Sequence, residues 1–162
     1  MLKIFYCIFL SLYLTACSSL LEVTKLPEQK DASRLFKVEQ LNERKEIQQT
    51  TLLTVQFEPK QWRWVQTDPL GAPVARMILA GQGWQNDGFV MPNNQAKQLF
   101  SALATALNPT EPPFKFSQVE NTLEGRAYKL KSKTLWKIQQ QHGQYHIALA
   151  DKSLWRIEEL ID

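Results

Sequence analysis

The chain's only histidines, His142 and His146, fall in the stretch "QHGQYH". A zinc site needs three or four Cys, His or carboxylate ligands at suitable spacing. None stands nearby, and Gly143 marks a turn that would point the two rings apart. Asp68 and Asp87 could form a carboxylate pair for acid–base chemistry. Both lie in Pro/Gly-rich turns, where aspartate ordinarily hydrogen-bonds its own backbone. The sequence holds no G-x-S-x-G, H-E-x-x-H, P-loop or G-x-G-x-x-G pattern, and Gly81-Gln82-Gly83 reads as a hairpin bend. No enzyme, cofactor or metal is expected. The remaining chemistry belongs to the two cysteines, Cys7 and Cys17. Nothing after residue 17 could pair with them in a disulfide.

Cys17 ends the run "MLKIFYCIFLSLYLTAC", in which Lys3 is the only charge. Ile4 to Tyr13 is apolar apart from Ser11. A membrane-crossing helix needs about 20 apolar residues; this run has the length of a signal-peptide core with a basic start and small residues before a cut. Leu14-Thr15-Ala16-Cys17 resembles a bacterial lipobox, which predicts cleavage after residue 16 and lipidation of Cys17. Ser18 follows, where an aspartate would mark inner-membrane retention, so an outer-membrane anchor facing the periplasm is expected. A formal net charge of +3 points to neither nucleic acid nor strong attraction to anionic surfaces. Three stretches follow: leader 1–16, lipidated N-terminus and flexible tether 17–33, and one domain over 34–162.

The elements that position everything else show period-2 patterning. "TLLTVQFEP" sets Leu53, Val55 and Phe57 on one face. "QWRWVQT" sets Trp62 and Trp64 together, with Arg63 and Val65 opposite. "DPLGAPV" is a turn, "VARMILA" another strand, and "GRAYKLK", "TLWKIQQ", "QYHIALA" and "SLWRIEELI" follow. One segment has helical spacing. "NNQAKQLFSALATALNP" carries Ala96, Leu99, Phe100, Leu103 and Leu107 on one stripe, with Asn93 or Asn94 as its cap and Asn108-Pro109 as its stop. These residues predict a helix over 93–107 and at least six antiparallel strands. The fold class is mainly β or α+β, a curved antiparallel sheet with the helix on its concave side. Trp62, Trp64, Trp84, Trp136 and Trp155 read as core packing or as the lining of a hydrophobic cavity. Lys129, Lys131, Lys133 and Lys137 read as a solvated face or as a basic rim.

The order of "DPLGAPVARMIL", a glycine bend, "LFSAL" on the helix and "WRIEEL" near the end resembles the outer-membrane lipoprotein receptor LolB and its relatives. It is most similar to an uncharacterised lipoprotein family encoded with aryl-polyene biosynthesis clusters. The resemblance covers about residues 45–162 and the leader. It implies an antiparallel half-barrel with an apolar interior. It also implies a role in binding or transferring an acyl or lipid-type ligand at the outer membrane, with aryl-polyene lipid export as the setting. A periplasmic LolA-like carrier or a membrane exporter is the implied partner. Such a half-barrel would bring Phe57, Trp62, Trp64, Phe100, Leu103, Trp136, Ile138, Tyr145 and Ile147 to one ligand cavity. One departure stands out. LolB-type receptors use a protruding leucine, and "FEPKQW" between the early strands offers none, which favours a related carrier over a strict receptor. The alternative is a structural or assembly lipoprotein with a dry core that binds a partner protein.

Overall fold

The computed structural model describes residues 21–161. Their elements, in order, are β1 (Ser33–Leu41), β2 (Ile47–Phe57), β3 (Gln61–Thr67), β4 (Pro73–Ala80), β5 (Gly83–Asn86), α1 (Asn94–Leu107), β6 (Gln118–Thr122), β7 (Gly125–Leu130), β8 (Lys133–Gln141), β9 (Gln144–Leu149) and β10 (Leu154–Leu160). The ten strands make one sheet, in the order β5-β4-β3-β2-β1-β10-β9-β8-β7-β6. Every neighbouring pair is antiparallel. Two five-stranded meanders are therefore joined where the first strand meets the last. The sheet curves around α1 and stays open at β5 and β6, as the strand and helix periodicities predict.

Local chemistry sets these bounds. Side chains alternate faces along a strand, and β3 shows this cleanly: Trp62, Trp64 and Gln66 are buried, while Arg63 and Val65 are not. In the β3–β4 turn, the Asp68 carboxylate accepts from the amides of Leu70 and Ala72, and Gly71 takes the left-handed φ of +88°. Asn93 caps α1 by accepting from the Ala96 amide. At the other end, the Asn108 side chain donates to the Ala104 carbonyl, and Pro109 prevents continuation. The buried hydroxyls of Ser101 and Thr105 bond the carbonyls of Lys97 and Ser101, so α1 carries no unmet polar group on its packed face through them.

The β1–β10 seam couples the two meanders. Val38 pairs with Ile157 in the register, and Glu39 and Lys37 face Arg156 and Glu158. Arg156 Nε lies 2.6 Å from the Glu39 carboxylate, and Lys37 Nζ lies 2.8 Å from Glu158. Arg34 grips Glu159 through two nitrogens, at 2.6 and 2.5 Å, a bidentate geometry that adds direction as well as attraction.

The stretch read as a flexible tether is docked from residue 21 onward. Val23 bridges to Phe114, the Thr24 amide donates to the Pro113 carbonyl, and the Lys115 amide donates to Glu22. Gln29 donates to the Asn108 side chain at 2.8 Å. Leu21, Val23 and Leu26 pack on the core, and burying them holds residues 22–29 as a strap. Cys17 and the leader lie outside the described residues.

Candidate functional site

The nine side chains expected to line one cavity do converge on one interior. Trp64 stacks on Phe100 of α1, with ring centres 5.3 Å apart, and meets Trp84 of β5 edge-on at 5.7 Å. Phe57 and Trp62 pack edge-to-face at 5.1 Å. Such offset and edge-on contacts are the favoured aromatic geometries. Trp84 also donates its indole N–H to the Ser101 hydroxyl at 2.8 Å. Trp62, Trp64, Phe100, Leu103, Trp136, Ile138, Tyr145 and Ile147 are all buried in the same core, with Phe57 packed against it. Most of this convergence is filled volume. Trp64, Phe100 and Leu103 are fully buried and form the packed centre.

Open space lies at the end of the sheet where α1 finishes. One cavity of about 360 Å³ is bounded by Ala106, Pro109, Tyr128, Ile138 and Tyr145, with polar residues such as Asn121 and Gln140 at its edge. A second, of about 500 Å³, sits under the strap, between Leu26, Pro27, Phe57, Pro59 and Trp62. Both fall within the range of about 300–1,000 Å³ usual for small-molecule sites. Gln29 lines the second cavity and bonds Asn108, so the end of α1 separates the two. Gly125 fits the first cavity's wall closely. Its φ is +111°, and a Cβ there would stand 2.3 Å from the Ile138 carbonyl oxygen.

Charged residues sort to the outside. The lysine series is partly paired: Lys129 lies 2.6 Å from Glu120, and Lys137 pairs with Glu124. Asp87 does not serve its own turn as expected. It accepts from Arg76 at 3.0 Å and lies 3.4 Å from Arg63 Nε without hydrogen-bond alignment. His142 occupies the β8–β9 turn with φ +50°. His146 lies on the outer face of β9 in a groove of about 480 Å³. Among the described residues, no three His, Cys, Asp or Glu side chains gather to hold a metal ion.

The β2–β3 hairpin "FEPKQW" carries no leucine, but the next hairpin does. Leu70, at the tip of the β3–β4 turn, is 94% exposed. Phe89 and Met91, in the loop before α1, are 108% and 81% exposed. The Asp68 hydrogen bonds hold the turn so that Leu70 faces outward.

No family model matches the chain, and a comparison with the curated proteins finds no match.

Proposed function

We propose that this chain is an outer-membrane lipoprotein, anchored through Cys17 and facing the periplasm, that binds a hydrophobic acyl-type ligand and passes it on. The observation that supports this reading is the pair of cavities of about 360 and 500 Å³ near the end of α1 and the strap, whose walls join apolar residues such as Tyr128, Ile138, Leu26 and Trp62 to polar ones. Moving an acyl chain through water costs about 0.8 kcal/mol per exposed methylene. A strap-covered opening lowers that cost without any catalytic group. A lipid anchor keeps the opening near the membrane and raises the effective concentration for hand-over. The exposed Leu70, Phe89 and Met91 side chains add apolar tips that a bilayer surface would cover. They bring the protein nearer to the LolB-type receptors it resembles. Aryl-polyene lipid export, with a LolA-like carrier or a membrane exporter as partner, is the setting this reading carries with it.

Binding of a fluorescent fatty-acid analogue, read by quenching of tryptophan emission, tests the proposal. Saturable binding is expected, weakened when Trp62→Ala removes a wall of the strap cavity. Absence of saturable binding in folded, ligand-free protein would defeat it. The competing reading is an assembly lipoprotein that binds a partner protein. It draws on the solid packing of Trp64, Phe100 and Leu103, and that negative result would favour it. Lipidation is tested separately: Cys17→Ser should lose palmitate labelling and outer-membrane fractionation.

A further inference from the structure

We propose that the groove on the outer face of β8, β9 and β10 is a second binding site, for a single-chain anionic amphiphile. The groove of about 480 Å³ lies between two hairpin tips. Lys45 reaches in from the β1–β2 turn, and Leu123 from the β6–β7 turn. His146 and Arg156 form part of the floor, and Leu41 and Leu154 supply apolar surface. Its lining thus offers both cationic and apolar groups, alongside Glu124, Gln139 and Gln141, as a charged head and a short tail would require. This site lies on the opposite face of the sheet from the cavities described above and stands independently of them.

Three details point to a ligand. Leu123 is 102% exposed, an apolar side chain carried at a hairpin tip beside the groove. Lys45 holds a left-handed φ of +63°, an unusual conformation for a lysine that places it at this edge. Its turn is fixed by Asn42, whose side-chain oxygen accepts from the amides of Arg44 and Glu46. Lys45 forms no salt bridge among the described residues, while Arg156 and Lys137 are paired with Glu39 and Glu124. The Lys45 ammonium is therefore open to an anion, in a turn that also carries Glu43, Arg44 and Glu46, with Glu46 bonded by the Asn42 side chain. The His146 imidazole registers that positive charge: burial first, then Arg156, Lys45 and His142, push it below its ordinary value. Glu124, the carboxylate that lines the groove, is engaged by Lys137, and Glu39 is engaged by Arg156. An arriving phosphate or carboxylate would meet Lys45 and His146 with little competition.

The test is calorimetric titration of the folded chain with dodecyl phosphate below its micelle concentration, followed in parallel by the NMR shift of His146. Inorganic phosphate and dodecyl maltoside serve as head-only and uncharged comparators. Saturable binding of dodecyl phosphate is expected, with a His146 shift and a rise in its pKa. Lys45→Asn keeps a residue that tolerates the left-handed turn, and Leu123→Ser alters only an exposed side chain. Each should weaken binding about tenfold. Four results overturn the proposal, the first three being no saturable binding; binding that leaves His146 unmoved, which would place the probe in the interior cavities; or binding matched by dodecyl maltoside. Equal affinity for inorganic phosphate would reduce the groove to a simple anion site and overturn the amphiphile assignment.

Discussion

In the β1–β5 half of the sheet, Trp64 is enclosed by Phe100 from α1 and Trp84 from β5. In the β6–β10 half, the same helix offers Ala106 to Ile138 and Tyr145, and space remains between them. Both halves are five-stranded antiparallel meanders with an alternating inner face. The helix backbone runs closest to β8 and β9, and large aromatic side chains span the gap to the first half. Phe100 packs with Trp64 and Trp84 of the first half, while Ala106 is the helix residue that borders the cavity in the second. Trp64 thus sits in a filled centre, while open space lies at the margins, beside Ala106 in the second half and between the strap, Phe57 and Trp62 in the first. Cores tolerate almost no voids, so the two openings kept beside such a core mark the places where a ligand would fit.

Truncation should expose this contrast most strongly. Trp64→Ala removes a fully buried indole with aromatic neighbours and should cost about 3–5 kcal/mol, whereas Ile138→Ala, whose side chain already borders open space, should fall near the low end of about 2–5 kcal/mol. Dispersion partners that are absent in the native state cannot be lost on mutation. Urea unfolding midpoints of the two variants check this, and equal losses would erase the distinction between the halves.

Two further substitutions act on the open half alone. Gly125→Ala imposes a side chain at φ +111°, with its Cβ 2.3 Å from the Ile138 carbonyl. A strained backbone position costs about 1–3 kcal/mol, and the displaced β8 should disturb the cavity. The expected outcome is lower thermal stability together with weaker fatty-acid binding. Ala106→Leu should act in the opposite sense on stability. Filling a void commonly adds about 0.5–2 kcal/mol, here with loss of ligand capacity. A variant both stabilised and still fully competent to bind would place the ligand elsewhere.

The strands and the helix were legible because their periods are regular and their ends carry recognisable caps and turns. Asn93, Asn108-Pro109 and Asp68-Pro69-Leu70-Gly71 each sit where the backbone needs them. The strand β1 was not among the strands read from the pattern. Lys37 and Glu39 interrupt "RLFKVEQL" with charge, and only the pairing with Glu158 and Arg156 on distant β10 makes those charges fit a central strand. The strap was hidden for a related reason. Leu21, Val23 and Leu26 are spread among charged residues and Pro27, and their partners at 113–115 lie far along the chain. The facing of Trp62, Trp64, Trp136 and Ile147 followed from alternation. Whether they enclose space depended on how much of it α1 fills, which no local pattern encodes. The outer groove draws on two turns and three strands distant in sequence, so it could emerge only from the assembled sheet.

The smallest expected effect separates the two halves by pH. Both histidines lie in the β6–β10 half, and His146 is held below its ordinary value, first by burial and then by Arg156, Lys45 and His142. In the unfolded chain its pKa returns to about 6.5. Around and below that value the unfolded state binds more protons than the folded one, so stability rises with pH through this window and declines as pH falls. The lowered carboxylates Glu124, Glu158, Glu159 and Asp151 contribute stability above their own unfolded values, near 4, and lose it only in more acidic solution. Between pH 5.5 and 7.5 the slope should therefore belong mainly to His146. Thermal melts across that range should show the wild-type midpoint falling slightly on acidification, and His146→Gln should flatten the trend. Dodecyl phosphate in the outer groove should flatten it too, because an anion beside the imidazole favours its protonated form. An unchanged slope in His146→Gln would show that burial and the positive field over this face together are too weak to hold the imidazole neutral.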